Sequence, residues 1–145
     1  MTEKKIIQKI VLGGVVVMDG KILILQRHAN EKVYPNLWEL PSGKREFLES
    51  SDGSLKREIK EECNLDVDIV MPCSIFDYKI EKEDEVRDST QINFIVRPIG
   101  GEVVLSDEHQ NFHWLAEEEI DNFDITDDTK AVIRKAFKFL LLGIL

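Results

Sequence analysis

The first part of the chain alternates apolar, strand-like runs with a short polar break. Ile6–Met18 is dense in β-branched and other apolar residues, and Lys21–His28 has the same character. Asp19 and Gly20 separate the two runs. Asp-Gly between such runs is a strong hairpin signal, because the turn needs residues that tolerate positive φ. The pattern therefore predicts an N-terminal β-hairpin.

A helical period follows in the second third of the chain. Three apolar residues recur there at four-residue spacing and make one stripe: Leu55, Ile59 and Cys63. This spacing predicts a helix over roughly Ser51–Cys63. Ser50 or Ser51 can cap its start, and Asn64 is suited to the left-handed conformation that ends helices.

Further strand-like runs alternate with short loops through the remaining chain. They lie around Leu37–Leu40 (after a loop with Pro35 and ended by Pro41-Ser42-Gly43), Val67–Met71, Ser74–Ile80, Thr90–Arg97, Val103–Leu105 and Asn111–Leu115. The charged tract Glu81–Asp88 is expected to be an exposed loop or hairpin tip. A last helix is expected from about Thr126, with a broad face that would pack on a sheet: Val132, Ile133, Ala136, Phe137, Leu140 and Leu141. Helices among many strands predict one layered α/β domain over residues 1–145.

Composition and charge narrow the function. A chain of 145 residues with 43% hydrophobic content can bury a full core. The net charge of −9 disfavours long nucleic acid as the main partner. We see no signal peptide, and the apolar run Phe139–Leu145 is too short to span a bilayer. We therefore expect a cytoplasmic protein without a membrane partner, with Cys63 and Cys73 reduced and Cys63 in the core.

Three glutamates supply the first chemical signal. Glu58, Glu61 and Glu62 lie at i, i+3 and i+4, so their carboxylates share one face of the predicted helix. Adjacent like charges repel by a few tenths of a kcal/mol, which Arg57 offsets only in part. Clustered hard oxygen ligands are what Mg²⁺ or Mn²⁺ requires. For an isolated triplet the alternative is a solvated helix face, which is the more common occurrence.

The wider spacing favours the metal interpretation. The segment GKREFLESSDGSLKREIKEECNL from Gly43 to Leu65 resembles the nudix box, whose pattern is Gly, five residues, Glu, seven residues, then Arg-Glu-U-x-Glu-Glu-x-Gly-U with U aliphatic. The matching positions are Gly43, Glu49, Arg57, Glu58, Ile59, Glu61, Glu62 and Leu65. A match this close should arise by chance in fewer than one in ~10⁴ chains of this size. The flanking Trp38–Lys44 also resembles the strand and loop that commonly precede the box.

Three positions depart from the family pattern. Asn64 replaces the Gly of the box and should preserve the positive-φ helix end. Ser42 replaces a Gly often found before the box, and Leu48 stands where many relatives have Gly. None of the three removes an expected acidic ligand, so they bear on the shape of the loop near Glu49.

The resemblance implies a fold and a reaction. The fold is the nudix-type α/β/α sandwich with a mixed β-sheet. The reaction is metal-dependent hydrolysis, with Mg²⁺ or Mn²⁺, of a phosphoanhydride bond in a nucleoside diphosphate derivative. The small domain looks most like the MutT-type members, which act on nucleoside triphosphates, including oxidised ones such as 8-oxo-dGTP. The alternatives are a nucleotide-sugar or dinucleoside polyphosphate pyrophosphatase, or a catalytically silent nucleotide sensor, with a monomer or a homodimer equally open.

The resemblance also implies roles for individual residues. Glu58, Glu61 and Glu62 are the expected metal ligands, Glu62 foremost, with the backbone carbonyl of Ser42 as a further one. Arg57 is expected to orient the glutamates. Glu49 could reach the site or only brace the loop.

Other candidates lie outside the box. Glu108 stands where many relatives place another acid near the metals and is the candidate general base and metal ligand. His109 is a second base candidate, with a surface position as its alternative. Four residues are candidate substrate contacts, each with an ordinary alternative: Lys44 and Arg27 for phosphate or as surface charges, and Asp127 and Asp128 for the base or as partners of the helix dipole.

Overall fold

The computed structural model describes residues 3–145, which form a mixed sheet with a helix on each side. The strands are β1 (Lys5–Met18), β2 (Lys21–Arg27), β3 (Trp38–Glu39), β4 (Ser42–Lys44), β5 (Asp66–Glu81), β6 (Glu85–Gly100) and β7 (His109–Leu115). The helices are α1 (Ser51–Cys63), a 3₁₀ helix (Glu117–Asn122) and α2 (Asp127–Leu141). Within the described residues, no helix has the length and apolar character needed to cross a membrane.

The sheet is mixed because β1 and β6 run parallel while the other pairs are antiparallel. Twelve residue pairs join them, from Lys5 with Glu85 to Val16 with Val96. The strand order along the sheet is β3-β2-β1-β6-β5, with β4 paired to β1 and β7 paired to β2. The predicted α/β class and mixed sheet are confirmed.

Strands β1 and β2 are apolar on both faces because a helix covers each face. Alternate side chains pack with α1 in one cluster (Leu12, Val16, Leu23 and Leu25) or with α2 in another (Val15, Val17, Ile22 and Ile24). Successive strand residues point to opposite faces, so two buried faces give a continuous apolar run. Cys63 is fully buried against the first face, as predicted. A Cβ on Gly14 would come within 2.7 Å of Ile59 Cδ1, so β1 and α1 are in close contact there.

The predicted turn and helix ends are confirmed. Asp19 and Gly20 have φ of 52° and 76°, as a two-residue hairpin of the primed type requires. The hydroxyl of Ser50 accepts a hydrogen bond from the Gly53 N–H and caps α1. Asn64 ends the helix at φ 65° and donates its N–H to the Lys60 carbonyl.

One predicted break between strands is wrong, and the predicted hairpin tip is shorter than expected. Val67–Met71 and Ser74–Ile80 belong to one strand, β5, whose pairing shifts near Ile69 and again near Pro72. Proline cannot donate to the sheet, and a bulge accommodates it without ending the strand. The charged tract 81–88 is mostly paired, with a hairpin tip of only residues 82–84.

Smaller differences occur at three other places. Residues 103–105 form no strand and run along the end of α1 instead. Ser42 and Gly43, predicted to end a strand, form β4 with Lys44. Leu141 is 83% exposed, whereas its neighbour Leu140 packs against the core.

Candidate active site

A short strand holds the start of the box against helix α1. Gly43 of β4 pairs with Leu12 of β1, and its Cα lies beside the side chain of Glu58. A Cβ at Gly43 would overlap the Glu58 carboxylate. Only glycine therefore allows this strand and this helix to approach so closely.

Glu62 is the most buried acid of the box. Its side chain is 6% exposed, and its Oε1 accepts a hydrogen bond of 2.9 Å from the Ser42 N–H. Burial raises the pKa of Glu62 well above its usual value, and the negative charges of Glu39, Glu108 and Glu58 add to that effect. The surroundings therefore oppose its negative charge, as expected for a carboxylate placed to receive a cation.

Arg57 connects Glu49 of the preceding loop with Glu58 and Glu61 of the helix. Its Nε and Nη2 donate to the two carboxylate oxygens of Glu49 at 2.9 and 3.0 Å. Its Nη1 contacts Glu58 at 2.9 Å and Glu61 at 3.4 Å. The hydrogen bonds from Arg57 lower the pKa of Glu49 to about 2. Glu49 also accepts the Glu46 N–H, so this side chain braces the loop.

The three box glutamates differ in exposure although they share a helix face. The side chain of Glu58 is 16% exposed and that of Glu61 is 60% exposed. Burial raises the pKa of Glu58 in spite of the neighbouring Arg57. The acids thus form a gradient from the buried Glu62 to the solvent-facing Glu61.

A buried histidine joins the box to the sheet. His109 Nε2 lies 2.9 Å from Glu39 Oε2, and its Nδ1 lies 3.7 Å from Glu62 Oε2. Arg27 continues this chain with contacts of 3.3 Å to Glu39 and 3.4 Å to Glu31. The His109 side chain has no exposure, so the alternative of a surface histidine is wrong. In the tautomer with its proton on Nε2, His109 donates this hydrogen bond to the Glu39 carboxylate.

The segment before β7 is tied directly to the end of α1. The N–H groups of Val104 and Ser106 donate to the carbonyls of Cys63 and Glu62 at 3.1 Å each. The Glu108 carbonyl accepts a hydrogen bond from the His28 N–H at 2.9 Å. These bonds hold the exposed Glu108 carboxylate near the box, where its charge acts on Glu58 and Glu62.

The donors fit a divalent cation. Glu39, Glu62 and His109 each offer a ligand atom within 4.8 Å of the other two. His109 Nδ1 is buried and has no hydrogen-bond partner among residues 3–145. Carboxylate oxygens with an imidazole nitrogen suit a hard or borderline divalent ion, and its charge would offset the repulsion among the acids. The arrangement does not distinguish Mg²⁺ from other divalent ions.

Glu39 and Glu62, but not His109, line one cleft of about 350 Å³. Its acidic wall contains Glu39, Ser42, Glu62 and Glu108; its other lining residues include Tyr34, Leu37, Phe76, Tyr78, Lys82, Arg87, Thr126, Asp128 and Thr129. A wider, more open depression of about 860 Å³ lies beyond Arg27 and His109, but Glu62 does not line it. We therefore place the site in the narrower cleft, which combines acids, aromatic rings and cations.

The structure separates the predicted substrate contacts into two groups. Arg27 and Asp128 line the cleft, whereas Lys44 and Asp127 do not. Asp127 and Asp128 both lie in the first turn of α2, capped by the Thr126 hydroxyl. The substrate roles of all four residues stay predictions.

Sequence reasoning missed several residues of the cleft: Glu39, Phe76, Tyr78, Lys82 and Arg87. Phe76 and Tyr78 occupy half-buried positions that alternate with exposed ones along β5, and this alternation was their signal. The signal for Glu39 was an acid in a strand between two apolar residues, Trp38 and Leu40. Both signals gain meaning only once the strand register is known.

Comparison with known proteins gives consistent matches. The family model described as NUDIX domain matches residues 10–136. Nucleoside triphosphatase NudI of Klebsiella pneumoniae (strain 342) is 23% identical over 133 residues, which cover 87% of this chain and 94% of that protein. The MutT NUDIX hydrolase from Burkholderia pseudomallei has a TM-score of 0.73 at 22% identity and covers 88% of this chain and 97% of that one. A NUDIX hydrolase from Nitrosomonas europaea has a TM-score of 0.75 at 16% identity, over 99% and 76% of the two chains.

Proposed function

Because the chain belongs to the NUDIX hydrolase family, we propose that it hydrolyses a nucleoside triphosphate, oxidised forms included, to the monophosphate and pyrophosphate. The family acts on nucleoside diphosphate derivatives, a class that contains the triphosphates. The relative named nucleoside triphosphatase and the similarity to a MutT hydrolase support the narrower choice. The observation that carries the proposal is a cleft that combines the buried Glu62 and other acids with aromatic rings and cations.

The acids of the nudix box, with Glu108 of the cleft wall, would hold the cation, Mg²⁺ or Mn²⁺. We assign Glu62 and Glu58 as ligands, with Glu61 at the exposed edge and Glu108 and the Ser42 carbonyl beside them. A bound divalent cation neutralises phosphate charge and makes water more acidic. Arg57 orients Glu58 and Glu61 through the contacts described above. His109 supports Glu39 and Glu62 from behind the acidic wall.

Glu108 accepts the proton of the attacking water in this proposal. Its carboxylate is exposed in the cleft, while its backbone is fixed to His28. As the water oxygen bonds to phosphorus and the bridging oxygen leaves on the opposite side, the water proton passes to Glu108.

The remaining walls of the cleft suit a nucleoside. Phe76 and Tyr78 have ring centroids 5.8 Å apart and offer aromatic surface to a planar base. The Asp128 carboxylate lines the same cleft and is the candidate acceptor for donors on a purine edge. Asp127 lies outside it and fits better as a partner of the α2 dipole. Arg27, paired with Glu39 and Glu31, fits better as a support for the acidic wall than as a phosphate contact.

The test is release of pyrophosphate and phosphate from a panel of nucleotides, with Mg²⁺ and with EDTA. The panel contains dGTP, 8-oxo-dGTP, ADP-ribose, a nucleotide sugar and a dinucleoside polyphosphate. We expect metal-dependent turnover of a triphosphate that Glu62→Gln abolishes. Preference for a nucleotide sugar or a dinucleoside polyphosphate would reassign the substrate. A folded protein that binds nucleotide without turnover would instead be a sensor.

A second variant tests the general base. Glu108→Gln should lower kcat at least tenfold, because it removes the proton acceptor but keeps the backbone contact to His28. Glu118→Gln, an exposed carboxylate on the 3₁₀ helix, is the matched control. Wild-type kinetics in a folded Glu108→Gln protein would remove the assignment.

A further inference from the structure

The cleft continues along the β5–β6 hairpin well beyond the acids. On its inner face β5 presents Phe76, Tyr78 and Ile80, and Lys82 follows at the tip. Six residues of strand at ~3.3 Å each extend over ~20 Å. The end near Phe76 also contains Thr126 and Asp128, at the start of α2. Lys82 and Arg87 therefore mark the opposite, outer end.

The strand register gathers further cations at this outer end. Arg87 pairs with Ile80 of β5 and Ile7 of β1, so its side chain lies on the cleft face of the sheet. Lys9, two residues after Ile7, shares that face. Lys44 of β4 pairs with Val11, two residues further along, and shares it as well.

The charges of these residues act on one another. Partial burial lowers the pKa of Lys44, and the positive charges of Arg87, Lys9 and Lys82 lower it further. Lys44 thus lies within range of three other cations in a chain with a net charge of −9. Such a cluster produces a local positive potential that the protein as a whole does not have.

The cluster is only partly neutralised by the protein itself. Arg87 has an ion pair of 3.2 Å with Glu85. Among the ion pairs of residues 3–145, none involves Lys9, Lys44 or Lys82. By contrast Lys79, on the outer face of β5, lies 3.8 Å from Glu81. The cations on this face of the sheet are thus available to an anion from outside.

We infer that Lys9, Lys44, Lys82 and Arg87 form an anion subsite for the phosphate of the substrate that lies farthest from the nucleoside. The nucleoside then lies toward α2, the scissile anhydride lies at the acidic wall, and the terminal phosphate lies at the hairpin. The preferred substrate carries at least one phosphate beyond the two of the cleaved anhydride, whereas a diphosphate capped by a neutral sugar leaves the subsite empty. The assignment to a substrate rests on the proposed function, but the anion subsite itself does not.

The subsite is tested first by binding, independently of turnover. Inorganic tripolyphosphate is titrated into the full chain in EDTA by isothermal calorimetry, at low and at high salt. We expect Lys82→Met/Arg87→Met to weaken binding at least tenfold and to reduce its salt dependence. Lys79→Met removes one charge from the same hairpin on the opposite face and should leave the affinity within about twofold of wild type. If the double variant does not fold, the single variant Lys82→Met at the hairpin tip replaces it in this titration.

Kinetics then connect the subsite with the substrate. For a nucleoside triphosphate the double variant should raise KM about tenfold with little change in kcat. The KM of a nucleotide sugar should not move, because that compound has no terminal phosphate. The two proposals can fail separately. If tripolyphosphate binding depends on Lys82 and Arg87 but no triphosphate is hydrolysed, the proposed function is removed and the subsite is kept. Absence of binding by the wild type, or equal affinities in the double variant and Lys79→Met, would overturn the subsite.

Discussion

Replacing Glu62 by glutamine should change stability in opposite directions without and with a divalent cation. Glu62 has a side chain only 6% exposed and lies among Glu39, Glu58 and Glu108. Glutamine keeps the shape of the side chain and the oxygen that accepts the Ser42 N–H. Its amide can also donate to the buried His109 Nδ1, which has no partner among the described residues. The substitution therefore removes a charge and leaves the local hydrogen bonds in place.

The size of the metal-free effect follows from the burial of the charge. A buried polar group without adequate hydrogen bonds or a counter-charge costs about 1–3 kcal/mol of stability. Because Glu62→Gln removes such a charge, it should raise the free energy of unfolding in EDTA by that amount. The effect should also depend on pH. The pKa of Glu62 in the folded protein is raised above its ordinary value of 4.5. Wild-type stability should therefore fall as pH rises from 4.5 toward the folded-state pKa, by up to ~1.4 kcal/mol per pH unit. The glutamine variant lacks this decline.

A divalent cation should reverse the order of stability. Binding at a concentration 100 times the Kd stabilises the folded wild type by ~2.7 kcal/mol. Each tenfold loss of affinity in the variant removes ~1.4 kcal/mol of that gain.

Urea unfolding of both proteins, in EDTA and in Mg²⁺ at several pH values, measures both effects. Reduced stability of Glu62→Gln in EDTA, or equal gains from Mg²⁺ in the two proteins, would refute the assignment of Glu62 as the principal ligand.

Three further variants test the loop and strand around the box. Arg57 lowers the pKa of Glu49 to about 2, so the stabilisation from this pair should be present above pH 4.5 and lost as pH falls toward 2. Glu49→Gln should lower the urea midpoint at pH 7 and flatten this acid decline, and parallel pH profiles would contradict the pairing. Gly43→Ala should lower kcat about 10–100-fold by displacing the Glu58 carboxylate, so unchanged kinetics would exclude the close contact. Leu48 has φ 62° and is fully exposed, so Leu48→Gly should raise the free energy of unfolding by about 0.5–1 kcal/mol. A lower free energy of unfolding for Leu48→Gly would show that the positive φ of Leu48 is not a source of strain.

The local parts of the fold could be predicted from the sequence because their signals lie within a few residues. The Asp19-Gly20 turn, the Ser50 cap and the left-handed Asn64 each depend on a neighbouring segment only. The four-residue apolar stripe of α1 is equally local. The box spacing then located three glutamates on one helix face before any tertiary contact was known.

Other parts of the site depend on contacts between distant segments, which the sequence pattern does not reveal. Glu39 and His109 are 70 residues apart, and only the folded sheet brings their side chains together. The pattern predicts two strands, Val67–Met71 and Ser74–Ile80, because a bulge is indistinguishable from a loop when the partner strand is unknown. The cations at the outer end of the cleft come from β1, β4, β6 and the hairpin tip, so their grouping depends on the sheet register.

The parallel pairing of β1 with β6 also affects how the chain folds. Lys5 pairs with Glu85, eighty residues later, so this contact cannot form until most of the chain has been synthesised. At 5–20 residues per second a ribosome needs about 4–16 s to produce that interval. During that time β1, β2 and α1 can form locally. The edge of β1 that later pairs with β6 stays open to other chains. Contacts between residues so far apart in the sequence also form slowly during folding. The nascent chain should therefore be most prone to aggregation and most dependent on chaperones before β6 emerges, and its catalytic cleft should be among the last parts of the protein to assemble.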